Sequence, residues 1–169
     1  MTSAKDAQRA FATYGDMVYR LALVRVHRIA DAEDIVQEVF VRYLQSAPTV
    51  MDDEHEKAWL IRVTINCSKS QATSVWRTRV ESLPDESEQR LVGSDSGSDE
   101  ASEGQSQMVR EAVLQLPDTY RTAVHLHYYE GYRTAEIATL MGAREATVRS
   151  WLHRARQLLR QTIELEDEE

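Results

Sequence analysis

The sequence is poor in the residues that shape β-structure. Its 169 residues include 6 Gly and 3 Pro, and its Val, Ile and Thr residues form no long runs bounded by turn residues. Sandwiches, barrels and doubly wound sheets need such runs and frequent turns, so these architectures are disfavoured. We therefore predict an all-α fold.

Cysteine and long apolar runs are also scarce. Because Cys67 is the single cysteine, an intrachain disulfide and a cysteine-based zinc site are excluded, and a reducing compartment is indicated. The apolar stretches are interrupted by charge and fall far short of the roughly 20 residues that span a bilayer. Residues 1–8 have no apolar core of a secretory signal. We expect a cytoplasmic protein without membrane insertion.

Negative charge is concentrated rather than spread evenly along the chain. The net charge of -8 divides into +1 for residues 1–80 (11 basic, 10 acidic), -7 for residues 81–105 (1 basic, 8 acidic) and -2 for residues 106–169 (8 basic, 10 acidic). The Ser-rich, Gly-rich and acidic segment 81–105 has too little apolar surface to offset the entropy of ordering. We predict two small helical domains, 1–80 and 106–165, joined by a flexible acidic linker over 81–105 and followed by an acidic tail at 166–169.

Apolar residues of the first domain recur at helical spacing. They predict a bundle of three or four helices, with Asp31 as the N-cap of the second helix and a further helix from about Glu56 to the Arg77 region. The predicted apolar side of the first helix consists of Phe11, Tyr14, Val18, Leu21 and Ala22.

The second predicted helix carries an acidic face. Asp34, Gln37 and Glu38 fall on one side of it, because residues three and four apart are neighbours on a helix. Paired carboxylates can serve catalysis or bind a metal, but no histidine lies at ligand spacing in this helix, so a solvated or docking surface is favoured. The sequence has no Gly-rich phosphate loop and no nucleophile with an identifiable base. We expect no enzymatic activity, cofactor, metal or small-molecule substrate.

The second domain contains the spacing of a helix-turn-helix. We predict helices over 106–116, 118–129, 134–141 and 145–159. With Thr134 as position one, small Ala138 at position five permits close helix crossing, Gly142 at position nine permits a positive φ, and apolar Val148 fills the space between the two helices.

Two segments have the composition of nucleic-acid-binding surfaces. Residues 133–160 contain six Arg and two acids, which suits contacts with phosphates and guanine edges, although a solvated basic face is the alternative. Residues 57–79 mix basic side chains with Trp59 and Trp76, which suits single-stranded nucleic acid. By the same periodicity Trp59 is favoured as a core residue.

Three motifs together resemble one family. DAEDIVQEVFVRYL, KAWLIRVTIN and LPDTYRTAVHLHYYEGYRTAEIATLMGAREATVRSWLHRARQLL are similar, in this order, to the bacterial extracytoplasmic-function (ECF) sigma factors of RNA polymerase. The resemblance covers both predicted domains. It departs at Arg133, where Ser or Thr often caps the helix, at Ala146, where Gly is usual, and at Trp151, where a basic residue is common.

The resemblance implies three surfaces. The first domain binds the clamp coiled-coil of core RNA polymerase, which assigns docking to Asp31, Asp34, Ile35, Gln37, Glu38, Phe40 and Leu44. Its last helix and the loop before that helix recognise and melt the promoter -10 element, which assigns Arg62, Asn66, Lys69, Trp76, Arg77 and Arg79. The last helix of the second domain binds the -35 element, which assigns Arg144, Thr147, Arg149, Ser150, His153, Arg154 and Arg156.

The resemblance also implies further partners and leaves two alternatives. The polymerase flap and a controlling anti-sigma factor are expected partners, beside the clamp and promoter DNA. One alternative is a free-standing helix-turn-helix regulator that binds operators without polymerase. The other is a helical adaptor that binds a protein through the acidic helix while the basic helix is merely solvated.

Overall fold

The structure, a computed structural model, describes residues 3–47, 52–79 and 100–167, and the side chains within 3–47, 52–70 and 107–164. Across these ranges the regular structure is helical, with no strand, so the all-α prediction is confirmed. The elements are α1 (Ala4–Val26), α2 (Ile29–Ser46), α3 (Asp53–Arg79), α4 (Glu100–Leu114), α5 (Asp118–Val124), a π-helical turn (His125–Tyr129), α6 (Thr134–Met141) and α7 (Glu145–Asp167).

The chain forms two compact units that divide between Leu91 and Val92. Residues 81–99 of the predicted linker lie outside the described residues, so their flexibility and the predicted domain limits remain predictions, whereas residues 100–105 belong to helix α4. In the N-terminal unit α1, α2 and α3 pack against one another as a three-helix bundle. The centre of this bundle is formed by side chains that are at most 1% exposed, namely Val18, Leu21, Ile35, Val39, Leu60 and Ile61.

The turn between α1 and α2 differs from the prediction. His27 has a φ of 63°, and its N–H donates to the Leu23 carbonyl (2.9 Å), which closes α1. Histidine is among the residues enriched in this left-handed region. The N-cap of α2 is therefore Arg28, and the prediction that Asp31 caps this helix is wrong. Asp31 lies in the first turn, where a carboxylate suits the positive end of the helix dipole.

Helix α3 begins three residues before the predicted Glu56, because Asp52 provides an N-cap. The Asp52 carboxylate accepts from the His55 backbone N–H (2.8 Å) and lies 2.7 Å from His55 Nδ1. These hydrogen bonds stabilise the charged carboxylate and hold the pKa of Asp52 below its ordinary value of 3.8. Because the pKa is lower in the folded state, the cap stabilises the fold fully above the ordinary value, and this stabilisation is lost as the pH falls through the lowered pKa.

We expect Asp52→Ala to lower the Tm by about 2–6 °C at neutral pH, because an N-cap acceptor is lost. The difference from the unsubstituted protein should disappear once acid protonates Asp52. Thermal unfolding by circular dichroism across a pH series measures both effects. Asp53→Ala is the matched control, since it removes the same charge one residue later without removing the cap. Equal destabilisation by the two variants would contradict a capping role.

The C-terminal unit is built around α7, which packs against α4, α5 and α6. Its core includes Ala123, Leu126, Ile137, Val148, Leu152 and Ala155, each at most 2% exposed. Arg121 is also buried, and its Nη1 donates to the Leu116 carbonyl (2.7 Å) while Nη2 contacts Asp118. The guanidinium thereby joins the end of α4 to the start of α5. Burial lowers the pKa of Arg121, opposed by the Asp118 carboxylate.

The predicted helix-turn-helix is present. Gly142 has a φ of 66°, Ala138 is 7% exposed and Val148 is fully buried, which are the roles expected from their spacing. At the start of α6 the Glu136 carboxylate accepts from the Arg133 backbone N–H (3.1 Å). The Glu136 side chain therefore satisfies a backbone donor at the start of α6, although the N-cap residue is Arg rather than the usual Ser or Thr.

Several helix ends differ from the predicted ones. Helix α4 begins at Glu100 rather than 106, since good helix formers such as Ala101 and Glu103 extend it despite the polar composition. It also ends at Leu114 rather than 116. Helix α7 continues past the predicted end at 159 to Asp167, into the predicted acidic tail.

The predicted helix over 118–129 is interrupted. Helix α5 ends at Val124, and the turn that follows is π-helical, with the Glu130 N–H donating to the His125 carbonyl (3.1 Å). The wider turn accompanies a buried His125 ring, which lies 3.4 Å from the Glu130 carboxylate and stacks on Tyr129 with ring centroids 5.1 Å apart. Hydrophobic periodicity does not distinguish such a turn from a continuous α-helix.

Candidate polymerase and promoter interfaces

One exposed face of α2 carries the predicted polymerase-docking residues. Asp34, Gln37 and Glu38 are exposed, as the helical spacing predicts. Glu38 accepts from Arg42 Nε (3.0 Å) one turn later, so its carboxylate is already paired. Asp34 and Gln37 are therefore the best candidates on this face for polar contacts with another protein.

Apolar side chains adjoin this acidic face. Leu44 is 38% exposed and Phe40 is half-buried, whereas Ile35 is 1% exposed and belongs to the core. Ile35 can support the face from beneath but does not reach its surface. Asp31 is half-buried in the first turn of α2.

Two further exposed apolar residues were missed by the sequence analysis. Phe11 was expected on the buried side of α1, yet it is 54% exposed and its ring meets the edge of Phe40 at 5.2 Å between centroids. Val41, on the exposed side of α2, is 46% exposed. Helical periodicity places Phe11 at the edge of the apolar side of α1. Helix α2 covers only part of its side chain.

Helix α3 presents a polar face with basic character. Arg62, Asn66 and Lys69 are exposed and recur at i, i+4 and i+7, so they lie on one side of the helix. The predicted residues Trp76, Arg77 and Arg79 lie on the same helix, but their side chains fall outside the described residues. Trp59 is half-buried with its ring 5.8 Å from Tyr43, which fits the predicted packing role.

The exposed surface of α7 contains most of the predicted -35 residues. Arg149, Ser150, His153, Arg154 and Arg156 are exposed, as is Arg144 just before the helix, whereas Thr147 is half-buried. Helical spacing separates these residues into two rows. One row consists of Arg149, His153, Arg156 and Arg160, and the other consists of Thr147, Ser150 and Arg154.

Tyrosines of the preceding elements contact an arginine in each row. Arg154 Nη1 donates to the Tyr120 hydroxyl (3.4 Å), and this hydrogen bond raises the pKa of Arg154. Arg156 Nε donates to the Tyr128 hydroxyl (2.5 Å), with its guanidinium carbon 5.6 Å from the ring centroid. Neither tyrosine was predicted from the sequence. Arg149 and His153 are also exposed, and they lie closer to the start of α7.

The N-terminal end of α7 is tied to α6. The Thr134 hydroxyl donates to the Glu145 carboxylate (3.0 Å), so the first residue of one helix contacts the first residue of the next. Glu145 also lies in the first turn of α7, where a carboxylate suits the helix dipole. This hydrogen bond links the starts of the two helices across the turn.

Among the described residues, no group of three His, Cys, Asp or Glu side chains is arranged to hold a metal ion. Cys67 is buried, and this burial raises the pKa of its thiol. In the same part of the chain, none of the helices has the length and hydropathy needed to cross a membrane.

Family comparisons match both units. Residues 10–78 match the family described as Sigma-70 region 2, and residues 106–159 match the family described as Sigma-70, region 4. The ECF RNA polymerase sigma factor SigL of Mycobacterium tuberculosis is 31% identical over 150 residues, covering 88% of this chain and 83% of that protein. The chain belongs to the ECF RNA polymerase sigma factors.

A second relative of this sigma factor is longer. The ECF RNA polymerase sigma factor SigE of Mycolicibacterium smegmatis is 34% identical over 150 residues, covering 87% of this chain but 57% of that relative. The matched residues of region 2 cover most of α1, all of α2 and nearly all of α3, and those of region 4 cover α5, α6 and most of α4 and α7.

Solved structures share the fold of this sigma factor. The sigma factor RpoE, solved with the anti-sigma factor NepR from Bartonella quintana, matches with a TM-score of 0.76 and 22% identity, covering 95% of this chain and 98% of that one. CnrH, solved with the cytosolic domain of CnrY, matches with a TM-score of 0.67 and 18% identity, covering 96% and 90%.

Proposed function

We propose that this sigma factor binds core RNA polymerase and directs it to promoters by recognising -10 and -35 elements. The observation that carries the proposal is the helix-turn-helix of the region 4 unit, whose last helix is exposed and basic, in a chain that also contains region 2. A sigma factor needs two DNA-recognising surfaces and one polymerase-binding surface. The exposed faces of α7, α3 and α2 supply candidates for all three.

The -35 element is assigned to the start of α7. In a helix-turn-helix the second helix enters the major groove and its N-terminal residues contact base edges. Arg149 and Ser150 lie in the second turn of α7 and are exposed, and Arg144 and Thr147 flank them. The exposed guanidinium of Arg149 has the donor geometry for guanine O6 and N7. His153, Arg154 and Arg156 lie further along the helix and are assigned to the same DNA.

The -10 element is assigned to α3. Arg62, Asn66 and Lys69 form a continuous exposed row, in which cations can follow a strand backbone and an amide can bond a base edge. Trp76, Arg77 and Arg79 extend this assignment along the same helix as predicted from the sequence.

Polymerase docking is assigned to the exposed face of α2. Asp34 and Gln37 supply exposed polar groups beside the apolar surface of Phe40 and Leu44, a combination that suits a protein partner more than DNA. The clamp coiled-coil is the proposed partner of this face, and the flap is the proposed partner of the region 4 unit.

The regulation and the cellular location of the protein are assigned by analogy with the same family. We assign an anti-sigma factor as a regulatory partner, since the solved relatives RpoE and CnrH were determined with such partners or a cytosolic partner domain. The protein acts in the cytoplasm, where core polymerase and promoters are present. Its role is to provide specificity, and it carries out no catalysis of its own.

The isolated protein should bind promoter duplex weakly. Its net charge of -8 and two separate basic faces disfavour unaided binding to a polyanion, and core polymerase is expected to hold both faces on DNA together. Footprinting at physiological salt, with and without core polymerase, measures this. We expect protection of the promoter by the holoenzyme and not by the free protein. Equal protection by both would favour a free-standing operator-binding regulator.

A further inference from the structure

Two adjacent tyrosines of the π-helical turn are exposed but have different contacts. Tyr128 is 59% exposed and Tyr129 is 61% exposed. The Tyr129 ring stacks on the buried His125 ring, whereas the Tyr128 hydroxyl accepts from Arg156 Nε at 2.5 Å. The hydroxyl of Tyr128 therefore has a specific partner on α7.

The ring of Tyr128 is itself supported. His127 Nδ1 donates to the Tyr132 carbonyl (2.9 Å), which fixes the imidazole. That imidazole meets Tyr128 in a T-shaped contact with centroids 4.8 Å apart. A chain of three contacts thus runs from the backbone through His127 and Tyr128 to the guanidinium of Arg156.

Arg156 retains the donors that a phosphate needs. A guanidinium has five N–H donors, and only Nε is used by Tyr128. Within the described residues the two terminal amino groups of Arg156 have no protein partner, and the side chain is exposed. The planar pair of amino groups matches two oxygens of one phosphate.

The position of Arg156 favours the DNA backbone over base edges. It lies 11 residues after Glu145, or about 16 Å along the helix axis at 1.5 Å per residue. Base contacts in a helix-turn-helix come from the N-terminal residues of the second helix. We infer that Tyr128 positions Arg156 to bind a backbone phosphate beside the -35 element, an inference that rests on the proposed function.

The hydroxyl of Tyr128 restricts a long side chain before DNA binds. An exposed arginine otherwise samples many rotamers, and ordering it on binding weakens affinity. Tyr128→Phe keeps the ring and deletes only the hydroxyl. Tyr129→Phe is the matched control, because it deletes an equally exposed hydroxyl one residue later that has no contact with Arg156.

The test measures the affinity of the holoenzyme for a promoter fragment at several salt concentrations, by fluorescence anisotropy. Tyr128→Phe should weaken binding about three- to tenfold, the range expected for ordering one otherwise free arginine side chain on binding, while Tyr129→Phe should not. Arg156→Ala should reduce the slope of log affinity against log salt by about one, as for one lost phosphate contact. In the Arg156→Ala background Tyr128→Phe should have no further effect.

Three results would overturn the inference while leaving the proposed function intact. The first is an equal loss of DNA affinity in Tyr128→Phe and Tyr129→Phe. The second is the same loss of affinity from Tyr128→Phe whether or not Arg156 is present. The third is an unchanged slope of log affinity against log salt in Arg156→Ala. A structural role alone would lower the Tm without changing the salt slope, so thermal unfolding of each variant is measured in parallel. Failure of the unsubstituted holoenzyme to bind any promoter would instead contradict the proposed function.

Discussion

Replacing Asp34 and Gln37 together by Ala should weaken binding to core RNA polymerase by about 1–3 kcal/mol, or about 5- to 150-fold. Both side chains are exposed on α2 beside Phe40 and Leu44, so their removal deletes polar contacts to a partner without disturbing the core. Helical content should stay unchanged. Binding of the labelled protein to purified core enzyme, followed by fluorescence anisotropy, gives the affinity directly.

The control for this variant uses the same residue types on another helix. Gln8→Ala with Asp16→Ala removes one amide and one carboxylate from the exposed surface of α1, a different helix. This control should bind core polymerase like the unsubstituted protein. If the α2 variant also binds normally, the α2 face is not the polymerase contact.

Replacing Arg149 by Ala should abolish base preference at one position of the -35 element. A bidentate arginine–guanine pair contributes about 1–3 kcal/mol of discrimination, or about 5- to 150-fold. Arg149 is exposed in the second turn of α7, where helix-turn-helix proteins contact base edges. Initiation by the holoenzyme on a panel of single-base -35 variants measures the preference.

Arg160 provides the matched comparison for Arg149. It is exposed in the same row of α7, 11 residues later, and should lie beyond reach of the bases. Arg160→Ala should therefore leave the pattern of base preference unchanged. A uniform decrease across the panel for Arg149→Ala would mean that this arginine binds the backbone rather than a base.

The sequence alone sufficed to predict the helix-turn-helix, because each of its critical residues has one dominant physical role. Gly142 occupies a left-handed turn, and Val148 is the apolar residue that the two helices enclose. Helix ends were less predictable because they depend on local hydrogen bonds. The left-handed conformation of His27 and the carboxylate of Asp52 shifted the starts of α2 and α3.

The candidate surfaces were predictable to the level of the helix face but not of the individual contact. Spacing identified Asp34 and Gln37 as exposed, yet it placed Phe11 in the core and assigned Ile35 to a surface that it does not reach. Exposure of such residues depends on how closely the neighbouring helix covers them. The pairing of Tyr128 with Arg156 joins residues 28 positions apart, which periodicity within one helix cannot reveal.

The assignment of this chain as a promoter-specificity factor is tested most directly by run-off transcription. Purified core RNA polymerase, the purified protein and a template containing promoters from the source genome are combined, and the transcript ends are mapped. We expect transcripts that start at defined sites, require the protein, and are lost when the -10 or -35 element is altered. Transcription by core enzyme that the protein leaves unchanged on every template would contradict the assignment.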